Sequence, residues 1–158
     1  MRGYSMYFED FTIGQVLKAN NVKIDKEKIL AFAKEYDPLP IHLDEEHARQ
    51  TGFGGLIAPG VMSFMLVWAE YAKMNIWGDA LVAGKQTSIT WFAPVYAGDI
   101  LHGSASVTGK RRKKNNTGVL EIMVEIFNQN GILVITDISK LVIRCRDQAE
   151  SDVNKKSP

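Results

Sequence analysis

The sequence contains a single cysteine, Cys145, among its 158 residues. One cysteine excludes an intrachain disulfide and a CxxC metal site and gives no reason to infer an oxidising compartment, so we expect a structural thiol. The N-terminal residues lack the apolar core of a signal peptide, and glycine, proline or charged residues interrupt the apolar runs well before membrane-spanning length. We therefore expect a cytoplasmic protein with no membrane partner.

The sequence also lacks an excess of charge of one sign, since it has 19 Lys and Arg and 18 Asp and Glu, which gives a formal net charge of +1. This balance gives no indication of a nucleic-acid partner. The sequence lacks the HExxH, P-loop, GxGxxG and GxSxG patterns, and Ser63 stands outside any nucleophile elbow. Known metal-hydrolase, nucleotide and serine-hydrolase signatures are thus absent.

The length and composition are typical of one soluble globular domain. A chain of 158 residues that is 46% hydrophobic is long enough for one sizeable core and too short for two comfortable ones. We expect one domain over residues 1–146. The tail, residues 147–158, has no apolar pattern and is predicted to be disordered.

Two helices are predicted from apolar periodicity. Helical spacing follows Asp25, a candidate N-cap, and this first helix should end at Tyr36 or Asp37 because a proline comes next. The segment 59–74 starts with Pro59 at a plausible first helical position and is apolar on nearly every face. It should therefore be a long buried helix.

Beyond residue 84 the pattern changes to β-branched strands separated by turn residues, namely 86–92, 100–109, 119–128 and 132–144. Asn130 and Gly131 are a hairpin signal between the last two segments. The third segment alternates, with Leu120, Ile122, Val124 and Ile126 on one face. One buried helix and an antiparallel meander predict an α+β fold in which the sheet wraps around the helix.

Asp37 and His42 are separated by a segment that contains Pro38 and Pro40, which predict an extended, irregular turn. A carboxylate and an imidazole act as base and acid only where both converge on one small volume, and a rigid turn fixes that geometry at little entropic cost. The alternative is an ordinary helix-terminating turn with a solvated aspartate and a packing histidine. Spacing alone leaves both interpretations open.

The stretch FGGLIAPG, residues 53–60, leads into the N-terminus of the predicted central helix. Backbone N–H groups there have no intrahelical acceptor and lie at the positive end of the helix dipole, so they suit an oxygen that becomes negative during a reaction. Gly60 is the natural donor. The alternative is that the glycine is kept for close helix packing.

A basic run, KRRKKNN at residues 110–116, lies between two predicted strands. It is a candidate for holding a polyphosphate, although such a run at a hairpin tip is more often simply solvated. His47 and His102 are interpreted as structural or exposed.

The segments YDPLPIHLDEEHA, GFGGLIAPGVMS and WFAPVYAGDIL occur in the order and at the spacing of the MaoC-like acyl dehydratase family, which the chain resembles over residues 8–144. That family includes the (R)-specific enoyl-CoA hydratases. The resemblance implies a hot-dog fold, an antiparallel sheet wrapped around one long central helix. Its Asp-x-Asn-Pro-x-His signature matches residues 37–42, which implies that Asp37 and His42 are the catalytic pair and that the N–H of Gly60 is the oxyanion donor.

The chain departs from the family pattern at three positions. Leu39 stands where the signature has asparagine, Pro59 where the hydratases tend to have histidine, and Trp68 where a small polar residue is expected. Together with Phe64, these residues are predicted to contact the substrate in its pocket.

The resemblance implies a lyase that hydrates and dehydrates an enoyl or 3-hydroxyacyl thioester in fatty acid metabolism. The expected ligand is an acyl-CoA or a similar acyl thioester, with coenzyme A present only as part of the substrate and no metal or other cofactor. A homodimer or a larger homo-oligomer is also implied. Two alternatives remain, a hot-dog acyl-CoA thioesterase and a non-catalytic acyl-thioester binding protein.

Overall fold

The computed structural model describes residues 5–147. Two 3₁₀ turns, Phe8–Asp10 and Gly78–Ala80, accompany the helices and strands of this range. The helices are α1 (Lys26–Tyr36), α2 (Pro40–Leu43), α3 (Glu45–Gln50) and α4 (Gly60–Met74). The strands are β1 (Val16–Lys18), β2 (Val22–Lys23), β3 (Leu81–Trp91), β4 (Ile100–Arg112), β5 (Thr117–Phe127) and β6 (Leu133–Arg144). Of the tail predicted to be disordered, residues 148–158 lie outside the described part.

The strands form one antiparallel sheet in the order β1-β4-β5-β6-β3, and β2 also pairs with β4. Strand β3 begins at Leu81, five residues before the predicted start, because its backbone pairs with β6 through the Ala83-Gly84 step despite the weak strand propensity of these residues. This long strand lies at one edge of the sheet. The short β1 lies at the other.

The hairpin between β5 and β6 and the buried face of β5 confirm the predicted pattern. Gly131 adopts φ +73°, and the N–H of Asn128 donates to the carbonyl of Ile132 at 2.9 Å. The alternating apolar residues of β5 are all at most 1% exposed, namely Leu120, Ile122, Val124 and Ile126. They form the floor of the core beneath α4.

Helix α4 crosses the sheet from β3 to β4. At its start, a Cβ on Gly60 would meet the indole of Trp91 on β3, and further along the helix Val67 and Tyr71 lie against Gly103 on β4. An antiparallel sheet packed on this central helix is the α+β, hot-dog architecture that was expected. The predicted burial of the helix is wrong on one side, since Val61 and Met65 are 48% and 47% exposed and no described residue covers them.

The turn between Asp37 and His42 differs from the extended form that was predicted. Helix α1 ends at Tyr36 as expected, but residues 40–43 form the helical turn α2, which carries His42. Pro40 occupies the first position of α2, where its missing N–H costs nothing and its fixed φ already suits a helix. The predicted start of α4 also differs, because Pro59 is the N-cap and the helix begins at Gly60.

Candidate functional site

A cavity of about 450 Å³ opens where the end of α1, the start of α4 and the end of β3 meet. Asp37, His42 and Gly60, the three residues predicted to carry the chemistry, all line it. The remaining wall is mostly apolar, with Ile135 and Val95 among its buried members. An apolar cavity with a few converging polar groups is the usual form of a small-molecule site.

The Asp37 carboxylate and the His42 imidazole face each other in this cavity, with 3.3 Å between Asp37 Oδ2 and His42 Nε2. Asp37 caps the end of α1, where its N–H donates to the carbonyl of Ala33 at 3.0 Å. The side chain of Asp37 is 37% exposed, whereas that of His42 is 6% exposed. The pair therefore joins a buried imidazole to a carboxylate that solvent and ligand can reach.

The second ring nitrogen of His42 fixes the tautomer. A backbone carbonyl can only accept a hydrogen bond, so His42 Nδ1 carries a proton and donates it to the oxygen of Ile57 at 2.8 Å. In the neutral ring, Nε2 is then unprotonated and faces Asp37. Ile57 itself is held on both sides, because its N–H donates to Ile41 at 3.4 Å and the next N–H, of Ala58, donates to Val95 at 2.8 Å.

Gly60 begins α4, so its N–H lies in the first turn and has no intrahelical acceptor. Among residues 5–147 this N–H makes no other hydrogen bond either. It lies in the cavity wall at the positive end of a 15-residue helix. It is therefore available to an oxygen of a bound ligand.

The space beside Gly60 is also too small for a side chain. A Cβ at this position would lie 2.1 Å from Nε1 of Trp91, closer than non-bonded atoms approach. The close-packing interpretation of this glycine and the hydrogen-bonding interpretation are thus both consistent with the geometry. The contact of Trp91 with Gly60 could not be predicted from the sequence, because strand pairing alone does not reveal which helix residue a strand side chain contacts.

The cavity mouth is aromatic. Phe53, Trp91 and Phe92 all line it, and they are 43%, 51% and 58% exposed. Residues of this size that line a cavity and stay half-exposed are placed to contact a ligand or a second chain. Periodicity does not mark either Phe53, which lies in a loop, or Phe92, which ends the predicted strand 86–92, as a cavity residue.

The four residues predicted to contact the substrate lie outside the cavity wall. Leu39 is 51% exposed at the N-cap of α2, and Pro59 uses its carbonyl to accept from the N–H of Ser63 at 3.1 Å. Phe64 and Trp68 stack with ring centroids 6.0 Å apart inside the helix layer. Substrate contact by these four residues stays a prediction.

The basic run occupies the end of β4 and the turn after it, at the far end of the strand from Gly103 and the α4 crossing. Arg112 pairs with Glu9 at 3.1 Å, and the ammonium of Lys110 lies 4.6 Å from the centroid of the Phe8 ring. His47 is exposed on α3, and His102 Nδ1 lies 2.8 Å from Asn21 Oδ1. None of these groups contributes to the cavity wall.

Asp137 is a buried carboxyl on the strand that supplies Ile135 to the cavity, and it is 0% exposed. Burial raises its pKa, although two hydrogen bonds act in the opposite direction. These bonds come from the hydroxyl of Ser139 at 2.7 Å and the N–H of Ser88 at 3.1 Å. The carboxyl therefore ties β6 to the edge strand β3.

Residues 5–147 contain no group of three or more His, Cys, Asp or Glu side chains arranged to hold a metal ion. Within this range, no helix has the length and apolarity needed to cross a bilayer.

The sequence matches the profile of the MaoC like domain over residues 9–128. The uncharacterised protein YdeM of Bacillus subtilis is 34% identical over 88% of this chain and 100% of its own length. A mitochondrial 3-hydroxyacyl-[acyl-carrier-protein] dehydratase of Arabidopsis thaliana is 29% identical over 79% of this chain and 72% of its own. The mesaconyl-CoA hydratase of Cereibacter sphaeroides is 25% identical over 90% of this chain and 42% of its own.

Solved structures show the same architecture. The MaoC-like dehydratase from Rhodospirillum rubrum superimposes with a TM-score of 0.80 and 29% identity over 90% of this chain and 99% of its own. The monoamine oxidase regulatory protein from Archaeoglobus fulgidus gives a TM-score of 0.87 and 27% identity over 93% of this chain and 99% of its own.

Proposed function

Because the chain belongs to the MaoC-like dehydratase family, we propose that it is a hydro-lyase that reversibly adds water across the α,β double bond of an enoyl thioester. The observation that carries the proposal is the convergence of Asp37, His42 and the N–H of Gly60 on one cavity. A base, a proton carrier and an oxyanion donor are the three groups that this reaction needs. We take a coenzyme A ester as the substrate, as in the mesaconyl-CoA hydratase that the chain resembles.

In the hydration direction the exposed Asp37 carboxylate takes a proton from water as the hydroxyl adds at the β-carbon. The proton passes to the bare Nε2 of His42, 3.3 Å from Asp37, and then to the α-carbon. The carbonyl of Ile57 stabilises the intermediate imidazolium, because it accepts the Nδ1 proton throughout. The hydroxyl of water ends on the β-carbon and its proton on the α-carbon, and the enzyme returns to its starting state.

Charge accumulates on the thioester oxygen when the hydroxyl adds, and the N–H of Gly60 is placed to meet it. The dipole of α4 acts in the same direction. We assign no step to a metal or a redox cofactor, and coenzyme A enters only as part of the substrate.

The test follows a short trans-2-enoyl-CoA by the loss of its conjugated absorbance while a thiol reagent reports free coenzyme A. The wild-type protein should lose absorbance without thiol release. Asp37→Asn should keep the fold and lose most of the turnover, because the amide cannot accept the proton from water. Asp25→Asn, the same change at the partly exposed N-cap of α1, is the matched control and should leave turnover unchanged.

Two outcomes would contradict the hydro-lyase assignment. Thiol release by the wild-type protein, lost in Asp37→Asn, would make the protein a thioesterase. A melting temperature that rises with the enoyl-CoA although no absorbance or thiol signal develops would indicate a binding protein. Equal turnover in Asp37→Asn and wild type would remove Asp37 from the chemistry.

We also propose that the working form is a homodimer or a larger homo-oligomer. Strand β3 is an 11-residue edge whose side chains are almost all exposed in the single chain. The uncovered residues Val61 and Met65 of α4 add apolar surface. A long unpaired edge with adjacent apolar surface is the kind of surface that a second copy covers.

A further inference from the structure

Trp91 ends β3, where its backbone pairs with Ile135 and its ring lies against the first residue of α4. The ring atoms nearest to the Cβ position of Gly60 are Nε1, Cδ1 and Cε2, at 2.1, 2.6 and 2.7 Å. These three atoms form the nitrogen-bearing edge of the indole. The N–H edge of Trp91, and not its benzene ring, is therefore the part that contacts Gly60.

The indole N–H has no hydrogen-bond acceptor among residues 5–147. An indole nitrogen is a donor only, and Trp91 is 51% exposed, so this N–H can be reached by a bound ligand. Trp91 lines the cavity together with Gly60, whose N–H also has no acceptor in the described chain. Two unused donors thus stand next to each other in one wall.

Resting on the hydro-lyase function proposed above, we propose that the Trp91 indole N–H is the second hydrogen-bond donor to the thioester oxygen, beside the N–H of Gly60. An oxygen that gains negative charge accepts two hydrogen bonds readily, and fixed donors stabilise the charge without reorganisation. The missing side chain of Gly60 allows the indole to approach the same oxygen. Trp91 thereby sets the position of the thioester relative to Asp37 and His42.

The test is Trp91→Phe, which keeps an aromatic ring at the position and removes only the N–H. The variant should lose kcat by on the order of a hundredfold on the short enoyl-CoA, with KM changed little, because the lost bond strengthens in the transition state. Trp77→Phe is the matched control. It makes the same change at a tryptophan that is buried outside the cavity wall and whose indole N–H has no acceptor in the described chain, so it should retain kcat.

A spectroscopic measurement separates hydrogen bonding from a packing role. In the Asp37→Asn background, where the expected loss of most of the turnover lets the bound enoyl-CoA be observed, the infrared carbonyl stretch of the bound thioester should shift to lower frequency. Adding Trp91→Phe should reverse part of this shift, whereas adding Trp77→Phe, outside the cavity wall, should not. A packing role for Trp91 would leave the carbonyl frequency unchanged.

The outcomes distinguish the two proposals. An active wild-type protein whose Trp91→Phe variant keeps kcat within about twofold and gives the same carbonyl shift would overturn the role of Trp91 alone. A wild-type protein that binds the enoyl-CoA, shifts its carbonyl in a Trp91-dependent way and still does not hydrate it would overturn the hydro-lyase assignment and leave the donor role in place.

Discussion

At the scale of single residues, Gly60 is constrained twice, by its N–H and by the space beside it. In Gly60→Ala the new Cβ would lie 2.1 Å from Trp91 Nε1, so the ring or the helix start must shift. Overpacking of this kind costs about 1–3 kcal/mol of unfolding free energy. We expect Gly60→Ala to lower both stability and turnover, as measured by urea denaturation and the absorbance assay.

The double variant Gly60→Ala, Trp91→Ala tests the cause. Alanine is a better helix former than glycine, so without the indole the same Gly60→Ala change at the first residue of α4 should be neutral or slightly stabilising. Turnover should stay low in the double variant because the indole N–H is gone. An equal loss of stability in both backgrounds would show that Trp91 is not what excludes a side chain at residue 60.

Asp137 makes a prediction about pH. Burial raises the pKa of Asp137 in the folded chain. At pH values between the ordinary carboxyl pKa and this raised pKa, the folded chain keeps the proton and the unfolded chain has lost it. The contribution of Asp137 to the unfolding free energy is therefore largest in acid, and it is lost as the pH rises through that range. Asp137→Asn lacks this titration.

Urea denaturation of wild type and Asp137→Asn from about pH 4 to about pH 8 measures the effect, because other titrating groups contribute equally to both proteins. The unfolding free energy of wild type minus that of Asp137→Asn should fall as pH rises. A constant difference over the range would contradict a raised pKa.

At the scale of elements, periodic segments could be predicted from the sequence and the site walls could not. The end of α1, the position of α4 and the buried face of β5 follow from local patterns, as do Asp37, His42 and Gly60 from their motifs. Whether Trp91 or Phe64 lines the cavity depends on where α4 lies on the sheet. Tertiary packing sets that position, and the spacing of residues along the sequence does not reveal it.

The helical turn α2 lacks a side-chain cap, because its N-cap is Leu39. Leu39 is 51% exposed and has β-region backbone angles, so an asparagine there would accept a hydrogen bond from an N–H of the first turn. We expect Leu39→Asn to raise the unfolding free energy by about 0.5–2 kcal/mol. Turnover should not fall, because the cap stabilises the turn that carries His42 in its present geometry. Leu39→Ala is the control, because it removes the leucine and supplies no cap. Equal melting temperatures for the two variants would argue against this account.

At the scale of the whole molecule, the two edges of the sheet differ. Strand β1 has three residues, whereas β3 has 11 and carries Trp91 of the cavity mouth at its end. If two copies pair β3 against β3 in antiparallel fashion around a twofold axis, the Val82 end of one strand lies beside the Trp91 end of the other. Formation of the dimer would then place each copy against the cavity mouth of the other.

Val82→Glu tests this arrangement. Val82 is 50% exposed in the single chain, so a glutamate there leaves the fold intact but places a charge in the proposed seam beside the partner's aromatic mouth. Light scattering should give twice the 17.7 kDa chain mass, or a larger multiple, for wild type and a shift towards the monomer for Val82→Glu. Turnover should fall with dissociation and recover as protein concentration rises. Val16→Glu, at a 52% exposed position on β1, should change neither mass nor turnover, and a wild-type protein that stays monomeric at micromolar concentration would rule the seam out.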